Sequence, residues 1–125
     1  MIKIKQKGNF SRSIEYMDKL KNKINSIDFY KYAKKGVELL EKYTPVDTGL
    51  TAKSWSYELK KTNHHVEITF LNYNVQDGVP IAIILQYGHA TRNGGWVEGV
   101  DYINPALRPL FEDMLDEIER EVRML

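Results

Sequence analysis

Three histidines, His64, His65 and His89, are the side chains of this 125-residue sequence best suited to bind a metal or move a proton near neutral pH. His64 and His65 are neighbours in a stretch that reads as a turn, where consecutive side chains diverge. No His-Glu-x-x-His pattern and no carboxylate at ligand spacing accompanies them, so solvated turn histidines are expected and no metal site is predicted. His89 with Asp101 could serve a small hydrolase as an acid–base pair, the third of three functional readings. Glycines at 88, 94, 95 and 99 suggest a phosphate loop, but the Gly-Lys-Ser/Thr ending of a P-loop is missing. A Gly-x-Ser-x-Gly elbow is missing too. Asp47 is a general base only in principle, because an aspartate beside threonine and glycine first serves the local backbone. No catalytic residue and no cofactor is therefore predicted.

Phosphate binding by lysines is the other chemistry on offer. Residues 1–35 carry ten Lys or Arg against three acids, a local charge of +7, whereas residues 112–125 carry six acids and two Arg, a local −4. The full chain balances at +1. Such a split suits a nucleic-acid face, a head-to-tail contact between copies, or two ends that compensate each other in one fold. The lysines are spread over several elements without a recognition-helix signature, so a basic nucleic-acid-binding module is the alternative reading. The chain has no cysteine, which excludes a disulfide framework and thiolate metal sites. Its start lacks an apolar run suited to a signal peptide, and its longest apolar run, Val79–Leu85, is far shorter than the ~20 residues that span a bilayer. A soluble protein made in a cytoplasm is expected, with no membrane partner.

The elements that must position these residues turn on one corner, Thr44-Pro45-Val46-Asp47-Thr48-Gly49-Leu50. Pro45 stops a helix, Asp47 and Thr48 bond local backbone, and Gly49 can take positive φ. Pro45, Asp47, Thr48 and Gly49 are the predicted structural turn. Before it, Ile2 and Ile4 alternate with Lys3, Lys5 and Lys7 as a short edge strand. Phe10, Ile14, Met17, Leu20, Ile24 and Ile27 fall on one helical face, and Ser11 or Ser13 could cap that helix. Phe29, Ala33, Val37 and Leu40 mark a second helix begun by Ser26 or Asp28.

Beyond the corner, residues 51–60 and 66–70 alternate as an antiparallel hairpin spanning about 51–72, and 72–78 reads as loop. Over 79–87 the Ile, Val and Leu suit a buried strand, while Pro80 at a first turn and Gly88 after the end suit a short buried helix; periodicity does not separate the two at this length, and the helix is the reading taken. Asn93-Gly94 signals a two-residue hairpin turn in a projecting, Gly-rich hairpin over 88–103, with Thr91 and Trp96 near its tip. Asn104 as cap and Pro105 at the first position open a long last helix, whose start Pro109, one turn in, is expected to make irregular or to delay. Leu107, Phe111, Met114, Ile118, Val122 and Leu125 form its stripe. The fold class is α+β in one domain over 1–125. Trp96, beside glycines at a hairpin tip, is hard to bury in its own subunit and is the leading interface candidate.

Taken in series, these segments resemble a family of long-tailed bacteriophage proteins, the neck or tail-completion components related to minor tail protein Z. Thr44-Pro45-Val46-Asp47-Thr48-Gly49-Leu50 followed by Ser54-Trp55 resembles its first motif. Gln86-Tyr87-Gly88 matches an aromatic-Gly segment, and Asp101-Tyr102-Ile103-Asn104-Pro105-Ala106-Leu107 matches the entry to its last helix. Asn104 replaces the usual arginine, Asp101 stands where a proline is common, and residues 89–100 form a longer arm than the shortest members carry. The resemblance implies a non-enzymatic virion protein, made in the host bacterial cytoplasm, that forms a ring of six or twelve copies at the head–tail junction. Implied partners are head-connector and tail-terminator or tail-tube proteins, with non-specific DNA contact in the lumen. Trp96, Arg92, Tyr87 and Tyr102 are the expected subunit or partner interface.

Overall fold

Asp28 starts the helix that organises the larger part of the chain: its carboxylate accepts from the Tyr30 N–H and caps α2 (Phe29–Tyr43). Pro45 follows, and the helix ends two residues before it, with Thr44 extended at φ −62° and ψ 128°. The computed structural model describes residues 11–45, 49–62 and 65–125. The edge strand expected at 2–7, Phe10 of the first helical stripe, Asp47, Thr48 and His64 lie outside those residues. The chain is α+β and divides into two compact units, Asp28–Met114, and Met1–Ile27 with Leu115–Leu125.

In the first unit α2 buries Phe29, Tyr32, Ala33, Gly36 and Leu40. Gly36 is required there: a β-carbon would run into the Phe70 ring and come within 3.1 Å of Leu110 Cδ2. A single turn, α3 (Leu50–Lys53), comes before β1 (Trp55–Lys61), which pairs antiparallel with β2 (Val66–Asn72) from Trp55↔Asn72 to Lys61↔Val66. The strand expected from residue 51 therefore starts at Trp55. Gly49 sits at φ +82°, and Lys53 N–H donates to Gly49 O, so the chain winds once before it extends. Replacing Gly49 by valine is expected to lower stability by about 1–3 kcal/mol through strain at positive φ; among the described residues nothing lies within 4 Å of its β-carbon position. An unchanged melting temperature would count against that strain.

Residues expected to be loop contain a small ribbon instead, β3 (Val75–Gln76) paired with β4 (Val79–Pro80). Asp77 (φ 50°) and Gly78 (φ 77°) both take positive φ, the two-residue geometry that matches strand twist. Next comes α4 (Ile81–Tyr87), capped by Gly88 at φ 83°. The Gly-rich arm is a hairpin of β5 (Gly88–Ala90) and β6 (Trp96–Glu98), but its loop is five residues, 91–95, and not the two of Asn93-Gly94. Of those two only Gly94 takes positive φ, and Thr91 and Gly95 close the wider loop through Thr91 N–H to Gly95 O and Gly95 N–H to Thr91 Oγ1.

The last helix, α5 (Ile103–Arg123), buries Ala106, Leu107 and Leu110. It begins at Ile103, so Asn104 is not its cap and Pro109 does not delay it. Pro105 lies in the first turn, where a missing N–H leaves no intrahelical bond unmade.

The second unit comprises α1 (Ser11–Asn25), Ile27 and the end of α5. Lys23 pairs with Glu121 at 3.7 Å, so the basic and acidic ends of the chain compensate each other here at least once. No residue of α1 is buried: Leu20 and Ile24 are half-buried, Ile14 and Met17 are exposed, and Ile27 just beyond it is buried. The helical stripe is there as the spacing predicts, but only its second half is covered.

Candidate functional site

Hydrogen-bonding side chains converge at two places in the larger unit, and both coincide with motifs singled out in the sequence. The first is the corner. Thr44 Oγ1 donates back to Leu40 O and accepts from Trp55 Nε1 at 2.8 Å, tying the end of α2 to the start of β1. Thr51 is held from the other side: Asn72 Nδ2 donates to its carbonyl and Asn74 Nδ2 to its Oγ1, both at 2.8 Å. Gln76 Nε2 then donates to Asn74 Oδ1. Thr44, Thr51 and Asn74 are buried and each has its partner, as polar groups taken out of water require. Pro45 is half-buried beside them.

The second place is the base of the arm. Gln86 projects from α4 and is 8% exposed. Its Oε1 accepts from the backbone N–H of both Tyr102 and Ile103 at 3.0 Å, and its Nε2 donates to Asp101 Oδ1 at 2.8 Å. One amide thus caps the start of α5 from outside that helix, in the place the sequence assigned to Asn104. Asn104 Nδ2 donates to Asp101 Oδ1 instead. The Gln86 bond holds the Asp101 carboxyl below the usual carboxylate range, and Asn104 adds to the effect. Tyr102 O–H donates to Ala82 O at 2.6 Å, and burial pushes its phenol up to about 12. Val100 N–H donates to Leu85 O, and Gly88 and Gly99 approach so closely that a β-carbon on either would strike the other's backbone nitrogen.

Tyr102 was expected at an interface. It is 3% exposed and belongs to the core of this base, because its ring fills the space under α4 while its hydroxyl reaches a helix carbonyl. Tyr87, Arg92 and Trp96 are exposed, at 70% for Tyr87 and 58% for Trp96. Trp96 is not wholly free of its own chain: its Cζ2 lies 3.0 Å from where a β-carbon on Gly88 would sit, so the ring shields that glycine's backbone. The sequence reading missed Gln86 itself. Its signal was a single amide on the buried side of an otherwise apolar helix.

An acid–base pair of His89 and Asp101 is not assembled. His89 Nδ1 is shielded and makes no hydrogen bond, while Asp101 Oδ1 is taken by Gln86 and Asn104. His65 Nδ1 faces Thr62 Oγ1 in its turn. Among the described residues no group of three or more His, Asp or Glu could hold a metal ion, and no helix is long and apolar enough to cross a membrane. An open groove of about 450 Å³ in the smaller unit, lined by Lys19, Asn22, Lys23, Ser26, Met124 and Leu125, brings no acid and base together.

What remains is surface. Between residues 73 and 100 the chain exposes Tyr73, Val75, Val79, Ile83, Tyr87, Trp96, Val97 and Val100. The same 28 residues contain three charges, Asp77, Arg92 and Glu98, in a chain that is 28% charged. Exposed aromatics with charge depleted around them are the composition of an interface centre. Comparison with family models, with curated proteins and with solved structures finds no match for this chain.

Proposed function

We propose that this chain is a structural component of a bacteriophage virion, assembling as a ring at the head–tail junction and performing no chemistry of its own. The observation that carries the assembly role is the charge-poor, aromatic exposed surface of residues 73–100, which includes an arm whose base is tied by Gln86 and Tyr102. A rigid mount lowers the ordering cost of docking an exposed aromatic. The polar side chains of both converging networks bond mainly to backbone and to each other, which supports a role as scaffold. The place in the particle rests on the order of the three motifs, at 44–55, 86–88 and 101–107. A net charge of −1 across residues 73–100 favours protein over nucleic acid as the partner of that face.

Gold-labelled antibody against the chain, viewed on intact particles by negative-stain microscopy, tests the reading. Label at the neck is the expected result; label on the capsid shell or baseplate overturns it. Trp96→Ala is expected to leave the isolated chain folded, at a loss of about 1 kcal/mol or less. Its dissociation constant for assembly should rise at least ~30-fold, as for an aromatic anchor. Unfolding of the isolated variant would make Trp96 a fold residue and remove it from the interface.

A further inference from the structure

Resting on that reading, we infer that copies meet head to tail, the β5–β6 ribbon of one covering the β3–β4 ledge of the next, with Arg92 set against Asp77. The ribbon has two strands only, and successive residues of β6 point to opposite faces. Trp96 is 58% exposed and Val97 is 46% exposed, so each face of the ribbon presents an open apolar side chain, Trp96 with Glu98 on one and Val97 opposite the half-buried His89 on the other. A ribbon with an open apolar side chain on each side suits insertion against a partner better than lying flat on its own chain. The ledge, Tyr73, Val75 and Val79, is also open, at 68%, 52% and 40%. The two surfaces belong to one compact unit and neither covers the other within the chain.

Charge identifies a second copy as the occupant. The one charged residue of the ribbon's loop, 91–95, is Arg92, and the one charged residue of the ledge, 73–80, is Asp77. Both are exposed, and Asp77 sits at the ledge's turn. An apolar contact flanked by one such pair gains register from it. Area points the same way. Scaling from ~150–250 Å² for a whole aromatic, Tyr87, Trp96, Val97 and Val100 offer roughly 400 Å². A specific interface takes about 800 Å² from each partner. One docked ribbon alone therefore holds any pair only weakly, as an association seen at high protein concentration. A copy in a closed ring docks its ribbon and receives another, doubling its buried surface, and two different surfaces on each chain are what a head-to-tail ring requires.

Mixing experiments on the purified full chain test this. The wild type should associate with rising concentration in sedimentation velocity. Trp96→Ser, which spoils the ribbon, and Tyr73→Ser, which spoils the ledge, should each remain monomeric at concentrations where the wild type associates. Mixed together, each variant supplies the surface the other lacks, and the mixture should stop at a heterodimer. Arg92→Glu should raise the dissociation constant about tenfold at low salt, an effect that fades with added salt. Hydrogen exchange on the unmutated chain guards against misfolded variants: amides of both 75–80 and 96–100 should gain protection as concentration rises. A wild type that stays monomeric to ~1 mM, protection of one segment alone, or a mixture that yields no heterodimer overturns the inference. Neck labelling of virions is read separately, so the docking geometry can fail while the placement in the particle stands.

Discussion

Gly88→Ala is expected to remove about 4 kcal/mol of stability, a large share of the roughly 5–15 kcal/mol that holds a domain of this size together. Two effects combine. Gly88 sits at φ 83° and ψ 175°, a region essentially closed to residues with a side chain, which costs about 1–3 kcal/mol. A β-carbon there would also lie 2.5 Å from Val97 O and 2.8 Å from Gly99 N. Both are backbone atoms that cannot swing away, and such crowding costs a further 1–3 kcal/mol or so. Gly94 provides the control. Its φ is +77°, but nothing lies within 4 Å of its β-carbon position, so Gly94→Ala should cost only about 1 kcal/mol. Urea unfolding midpoints of the two variants measure the difference. Equal losses would show that the strands at the arm's base are not in close approach, and the arm would lose its claim to rigidity.

The same two glycine regions show what the sequence could and could not convey. Asn93-Gly94 and Asp77-Gly78 are both strong two-residue turn signals, and the tight turn formed at the second. At Asn93-Gly94 the Thr91 hydroxyl offers the Gly95 N–H a bond that a two-residue turn would not make, and the loop widens around it. Hydroxyl competition of this kind depends on a neighbour's rotamer, which a dipeptide pattern does not carry. The α1 stripe was legible by spacing, yet Ile14 and Met17 remain exposed, because periodicity reports which face is apolar and nothing about what lies opposite it. Over 79–87 the residues suit strand and helix alike, and only Pro80 and Gly88 favour the helix; it runs Ile81–Tyr87, with Val79 and Pro80 in β4 just before it. Tyr102 was misplaced for a related reason. A tyrosine at the foot of an arm can face out or in, and its direction is set by Ala82 O, a carbonyl twenty residues away.

Long-range bonding of that kind makes Gln86→Leu the second large loss, at about 3 kcal/mol. Leucine nearly matches glutamine in volume, so the core stays filled while every hydrogen bond of the amide is lost. The Tyr102 N–H, which is buried, and the Ile103 N–H, which is partly buried, are both left without their acceptor at the start of α5. Each such donor costs about 1–3 kcal/mol when it loses its partner away from water. Asp101 supplies an independent readout, because the Gln86 amide is the largest influence lowering its pKa. A carboxylate lowered in the fold contributes stability above the ordinary carboxylate range, and that contribution fades as pH falls through the folded value. In the leucine variant Asp101 should therefore titrate closer to an ordinary aspartate, and the acid-induced part of the stability loss should shrink. Gln86→Glu separates charge from shape. Its carboxylate can still accept from both N–H groups, but it faces Asp101 with like charge, so it should be less stable than wild type at neutral pH and regain ground as acid neutralises one of the pair. If Glu and Leu behaved alike across that range, the amide would be filling space, and the cap that ties α4 to α5 would have to be sought elsewhere.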